Sequence, residues 1–216
     1  HLTPSDAARL WVEIQSETYR LNPLIRYWEG PNEPVWDSLD GMRWYGAFEA
    51  ERVMRLNARG LLAVVGNFST GTPHIQENDL SWWAAFMPAL SAIEQYSSIL
   101  GKSILGLHEY SDGKLSKDFD GRYGWNTFRY RRVHDWFLAP NGLGNLPIVL
   151  TEFGVDFKIR DIDYAAELAW ADSEMRKNAY LLGATIFTFG STDPAWDAFN
   201  VDGSNVTTPL VTYMES

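Results

Sequence analysis

Two hydrophobic rhythms alternate along this chain of 216 residues. Short, continuous apolar runs read as strands covered on both faces: Leu24 to Trp28, Leu61 to Asn67, Ile104 to Tyr110, Ile148 to Thr151 and Ala184 to Phe189. Between them lie longer stretches with apolar residues at helical spacing, over 36–57, 79–100, 125–138 and 164–182. Pro88 marks a kink point in the second of these. An earlier helix is expected over Ala7 to Leu21, started by Pro4-Ser5-Asp6 and stopped by Asn22-Pro23. A Gly- and Asp-rich loop covers 111–124, and a polar loop with a short helix or coil closes the chain. Strands that alternate with helices imply parallel βαβ units. The expected fold class is α/β with a parallel sheet, in a single domain over 1–216 without linkers or low-complexity segments.

Composition narrows the function classes. The net charge of −10 and pI near 4.8 argue against nucleic acid or an anionic membrane surface as partner. No apolar run approaches the roughly 18 residues of a membrane span. No secretory leader opens the sequence; a mature secreted protein would read the same, so localisation stays open, with an extracellular one compatible. Without cysteine there are no disulfides and no thiolate metal sites. Aromatic residues make up 14% of the chain, including ten Trp, which suits sugar-ring stacking as well as a core.

Two glutamates sit where an apolar run meets Pro or Gly: Glu33 in Asn32-Glu33-Pro34, and Glu152 in Thr151-Glu152-Phe153-Gly154. Both belong at the C-terminal tips of strands, the edge where catalytic groups gather in parallel α/β barrels. Two carboxylates on one rim are the minimum for glycoside hydrolysis, one as acid/base and one as nucleophile. Alone, Asn-Glu-Pro reads more readily as an exposed acidic turn, and His108 as a buried histidine with a satisfied hydrogen bond. Glu29 is a weaker rival for the acid. Glu109 alternates away from His108 and Tyr110 and reads as structural. Asn67 tips its strand and can face either cleft or core. Trp36 and Trp125, near the loops on that rim, are the sugar-stacking candidates; Trp82, Trp83, Trp136 and Trp170 sit in helical patterns and read as core or interface. A metal site is not expected, because the four histidines are scattered and His108-Glu109 lacks the second histidine of a zinc-protease helix. Neither a phosphate-binding glycine loop nor Gly-x-Ser-x-Gly is present, so no cofactor is expected.

The order Asn-Glu-Pro, then His-x-Tyr, then Glu-Phe-Gly, each after its own strand, resembles the clan A retaining glycoside hydrolases, cellulase- and β-mannanase-like (β/α)8 barrels. The resemblance implies that Glu33 is the acid/base after strand 4 and Glu152 the nucleophile after strand 7. His108 and Tyr110 then match the sixth-strand residues that orient nucleophile and sugar, and Asn32 would hold a sugar hydroxyl. The remaining strands count off as the fifth, sixth and eighth without gap or surplus. The implied partner is a β-linked glycan; the alternative is a non-catalytic sugar-binding or structural barrel remnant. The chain departs from the pattern at two places. Strands 1 to 3 have no counterpart, whereas a full barrel takes about 250 residues. At the eighth strand the clan's Trp is replaced by Phe189, with Trp196 further along the loop.

A five-strand arc leaves open edges at the first and last strands, which invite pairing. Three resolutions are expected: a complementing N-terminal barrel segment, edge-to-edge self-association, or collapse of the arc around loops and Trp side chains. Self-association is the favoured one.

Overall fold

The computed structural model describes residues 2–97, 101–160 and 162–215. Five parallel strands form one sheet in sequential order: β1 (Tyr27–Glu29), β2 (Leu62–Phe68), β3 (Ile104–Ser111), β4 (Ile148–Val155) and β5 (Leu181–Ile186). The sheet curls into a half-barrel surrounded by helices. The fold class read from the sequence is therefore the one observed.

Three of the α-helices start at a side-chain cap. Thr3 caps α1 (Pro4–Ile14) by accepting from the Asp6 N–H, with Pro4 at the first turn. The expected long first helix is broken at Gln15 and resumes as α2 (Ser16–Leu21). Ser38 accepts from the Gly41 N–H and starts α3 (Leu39–Asn57), so Trp36 lies before the helix. The next, α4, covers Ser81–Gln95; residues 98–100 of the expected helix lie outside the described residues. The helix read over 125–138 starts only at α5 (Tyr130–Arg132), continues as a π-helical turn over Val133–Leu138, and leaves Trp125 in the preceding loop. After β4 come α6 (Phe157–Arg160) and α7 (Tyr164–Met175), the latter capped by Asp163. Here the sequence pattern ran on to residue 182, because Leu181 and Leu182 continue the apolar periodicity although they open β5. A 3-10 turn (Pro194–Phe199) and α8 (Thr207–Met214) follow.

The strongest core lies between α3, α4 and β2. Rings of Tyr45, Phe48, Phe68, Trp83 and Phe86 interlock there at centroid distances of 4.9–5.9 Å. Gly46 lets the helices approach, since a Cβ there would lie 3.1 Å from the Ala85 carbonyl oxygen. All seven residues of β2 are buried, while β1 and β5 are largely exposed. The edges are bare: Leu24 is 94% exposed and Leu182 59%. Buried strands inside and exposed strands at both ends are what an unclosed arc produces.

Glu109, on the helix-facing side of β3, accepts from the Tyr130 N–H at 2.6 Å and lies near Arg129. Arg129 in turn donates to the carbonyls of Gly71, Thr72 and Pro73, tying the loop after β2 to the start of α5. Burial raises the Glu109 carboxyl to about 8, against the partial offset of its backbone donors and Arg129. Its folded value thus exceeds its unfolded one, so the folded chain binds the extra proton. That stabilisation is fully present below about 4.5, the ordinary value, and is lost as pH rises to about 8. Denaturant midpoints measured across this window are expected to fall with pH, and Glu109→Gln to flatten that slope.

Candidate active site

Two irregularities in the sheet build the site. In β2, Asn67 is an extra residue: Gly66 pairs with Gly106 and Phe68 with Leu107, so Asn67 bulges between them. Its φ of 44° is left-handed, which asparagine tolerates better than most residues. The bulge turns its carbonyl toward the β1 loop, where it accepts the Glu33 N–H at 3.0 Å. Glu33 is left-handed as well, with φ of 43°. Such a conformation in a non-glycine residue costs on the order of 1 kcal/mol or more and concentrates at functional sites.

The second bulge lies in β4. Leu107 pairs with Leu150, but His108 pairs with Glu152, so Thr151 is the extra residue. Without it, strict alternation would set Thr151 beside His108 and turn Glu152 outward. With it, Glu152 shares the inner face with His108 and Tyr110.

These four side chains converge. His108 Nδ1 lies 2.9 Å from Glu33 Oε1 and 3.4 Å from Glu152 Oε2. The Tyr110 hydroxyl donates to Glu152 Oε2 at 2.7 Å. Ligand atoms of Glu33, His108 and Glu152 all lie within 4.8 Å of one another. The His108 side chain is wholly buried, while those of Glu33 and Glu152 are 40% and 25% exposed, so both carboxylates open to solvent over a buried imidazole. Burial, and then the Glu152 carboxylate, push the Tyr110 hydroxyl well above its ordinary value, so it stays a donor. Burial also raises Glu29, with His108 lowering and Glu152 raising it, which places Glu29 within the field of the site.

The other predicted residues divide. Asn32 is exposed beside Glu33. Asn67 is fully buried and meets Thr151 Oγ1 at 3.4 Å; it supports Glu33 from below and does not line the cleft. Trp36 packs on Trp44 and Tyr45 of α3, with its indole nitrogen buried. Trp125 is 54% exposed under the Arg132 guanidinium. Phe189 lies beyond the end of β5, 67% exposed. The residue that follows β5 is Phe187, whose ring meets Tyr110 edge-on at 5.9 Å. Trp196 reaches back to Phe187 at 5.2 Å and so joins the aromatic group beside Tyr110, together with Phe199.

Sequence reading missed Phe187, because the strand was placed about three residues too late. It also missed Thr70. The Thr70 hydroxyl accepts from the Tyr110 N–H at 2.9 Å and donates to the His108 carbonyl at 3.3 Å, bridging β3 where β2 has ended. No local signal marks a threonine for that role.

The fold is that of the cellulase and mannanase barrels, present here as five consecutive strands. An endo-β-1,4-glucanase from Xanthomonas axonopodis pv. citri, solved as a triple mutant, superposes with a TM-score of 0.59 at 18% identity over 97% of this chain. An endo-β-1,4-mannanase from Thermotoga petrophila gives 0.56 at 16% identity, again over 97%. XacCel5A in complex with cellopentaose gives 0.50 at 14% identity over 95%. The chain spans 65% of the first structure, 48% of the second and 77% of the third. No protein-family model and no curated protein matches the sequence.

Proposed function

We propose that this chain carries the reacting groups of a retaining β-glycan hydrolase. One observation carries the reading: carboxylate oxygens of Glu33 and Glu152 lie within 4.8 Å on one rim, flanked by His108 and Tyr110. Retention needs a spacing of about 5–5.5 Å, whereas inversion leaves room for a water at roughly 6.5–9.5 Å. Tyr110 fixes Glu152 through Oε2 and leaves the other oxygen to attack the anomeric carbon. Protonated Glu33 gives its proton to the departing glycosidic oxygen, and a glycosyl ester forms on Glu152. Glu33, now a carboxylate, takes a proton from water. The water oxygen bonds to the anomeric carbon and releases Glu152. Asn32 and the aromatic group of Phe187 and Trp196 are the sugar contacts in this reading.

The test is a screen of cellulose, β-1,3-glucan, mannan and xylan, with Glu33→Gln and Glu152→Gln as controls. The β-1,4-glucan and mannan arms come first, since the structural neighbours are glucanases and mannanases. A second reading, a glycan-binding barrel remnant without turnover, is favoured by the open edges at β1 and β5. It predicts binding that Glu152→Gln leaves intact, with no sugar released by the unaltered chain.

The same edges support self-association. A two-fold axis along the strands would set β1 of one copy beside β5 of the other at both seams and keep every strand parallel. Sedimentation at micromolar concentration is expected to show a dimer, and Leu182→Lys to weaken it. A wild-type chain that stays monomeric there would exclude this pairing and leave a complementing barrel segment or an arc closed over by its own loops and Trp side chains.

A further inference from the structure

We propose that Glu33, His108 and Glu152 form a binding site for a single Zn²⁺ ion. The expectation of no metal site rested on histidine spacing along the chain, and the fold removes that objection by drawing three donors from three strands. In a tetrahedral zinc site with bonds of about 2.0–2.2 Å, ligand atoms stand roughly 3.3–3.6 Å apart. Here His108 Nδ1 is 2.9 Å from Glu33 Oε1 and 3.4 Å from Glu152 Oε2. The carboxylate pair, within 4.8 Å, needs only a small closure, and the partly exposed Glu33 side chain is free to make it.

The donors also fit the ion. One imidazole nitrogen with two carboxylate oxygens suits zinc, whereas calcium and magnesium favour all-oxygen shells. His108 is buried, and its Nε2 has no partner among the described residues. Its Nδ1 is the ring nitrogen that faces both carboxylates, and it is open to a metal in the tautomer that carries the ring hydrogen on Nε2. Among the described residues His108 is the sole ion-pair partner of either glutamate. Tyr110 supplies an outer hydrogen bond to Glu152. The fourth position faces solvent, as in zinc sites with three protein ligands. An ion held here would occupy both carboxylates and block hydrolysis, but the site itself does not depend on the chain being an enzyme.

Calorimetric titration with ZnCl₂ in a non-coordinating buffer tests the site, with Co²⁺ absorption as the spectroscopic probe of coordination. One ion per chain is expected, bound in the micromolar range. Glu33→Gln and Glu152→Gln should each weaken it at least about tenfold, while the exposed His74→Gln should leave it unchanged. Both glutamates are partly exposed, so these variants test the site even if His108→Gln fails to fold. Absence of binding at millimolar Zn²⁺, or undiminished binding by the Glu33→Gln/Glu152→Gln double variant, would overturn the proposal. The titration reads binding and not turnover, so its failure is distinct from failure of the glycan assay.

Discussion

Glu152→Gln is expected to reduce release of sugar from a β-glycan to background. The amide keeps the shape of the carboxylate and still accepts from Tyr110, whose hydroxyl lies 2.7 Å from Glu152 Oε2. It cannot form the glycosyl ester, so the first step is lost and there is no intermediate for water to attack. Glu33→Gln should cost less, about 10²–10⁴-fold, the usual value of a positioned general acid/base. The two also differ in kind. An aryl glycoside with a good leaving group needs no proton on departure, so it should restore the first step in Glu33→Gln but not in Glu152→Gln. Reducing-sugar release and aryl-glycoside burst kinetics measure both effects. If either variant kept full activity on the polysaccharide, the assignment of roles would fail.

Arg52→Met is expected to destabilise the chain by about 3–5 kcal/mol, as when one partner of a buried ion pair is removed. Arg52 is fully buried in α3. It donates to Glu49 Oε2 at 2.8 Å, to the Trp28 carbonyl at 3.1 Å and to the Val64 carbonyl at 2.6 Å, joining β1 to β2 from the helix side. Tyr45 completes the group, with its hydroxyl 2.9 Å from Glu49 Oε1. The substitution would leave Glu49 buried and unpaired, and burial already raises its carboxyl against the pull of Arg52. Gly30 lies against this group, since a Cβ there would stand 2.6 Å from Glu49 Oε1. The segment from Trp28 to Glu33 therefore rests on it, and loss of Arg52 should loosen Glu33 as well as the fold. Urea denaturation measures the first effect. The double variant Arg52→Met/Glu49→Leu should recover most of the stability, because no unpaired charge remains. A loss under about 1 kcal/mol for Arg52→Met would show that the network is not a support.

Hydrophobic rhythm was enough for the strand order and for the parallel α/β class, because strands buried on both faces need continuous apolar runs. It also set Glu33 and Glu152 at the ends of such runs, whereas His108 and Tyr110 stood out only through the order of motifs that carries the family resemblance. Boundaries were less legible where the apolar pattern crossed an element end. Residues 125–129 and 181–182 continue a helical spacing that the backbone abandons, and that error moved the β5 tip from Phe187 to Phe189. Tryptophan roles were not legible at all: Trp36 turns to α3 and Trp196 to Phe187, and only contacts between distant segments decide this. The bulges were decided by tertiary structure too. An extra residue in a strand leaves the alternating pattern almost unchanged in sequence, yet it reverses which side chains face inward. The sequence by itself determined that two glutamates stand toward the C-terminal ends of two strands of a parallel sheet, which β2 and β3 separate. That both carboxylates meet over one buried histidine was decided by two single-residue bulges, at Asn67 and Thr151, which form only when the strands pair.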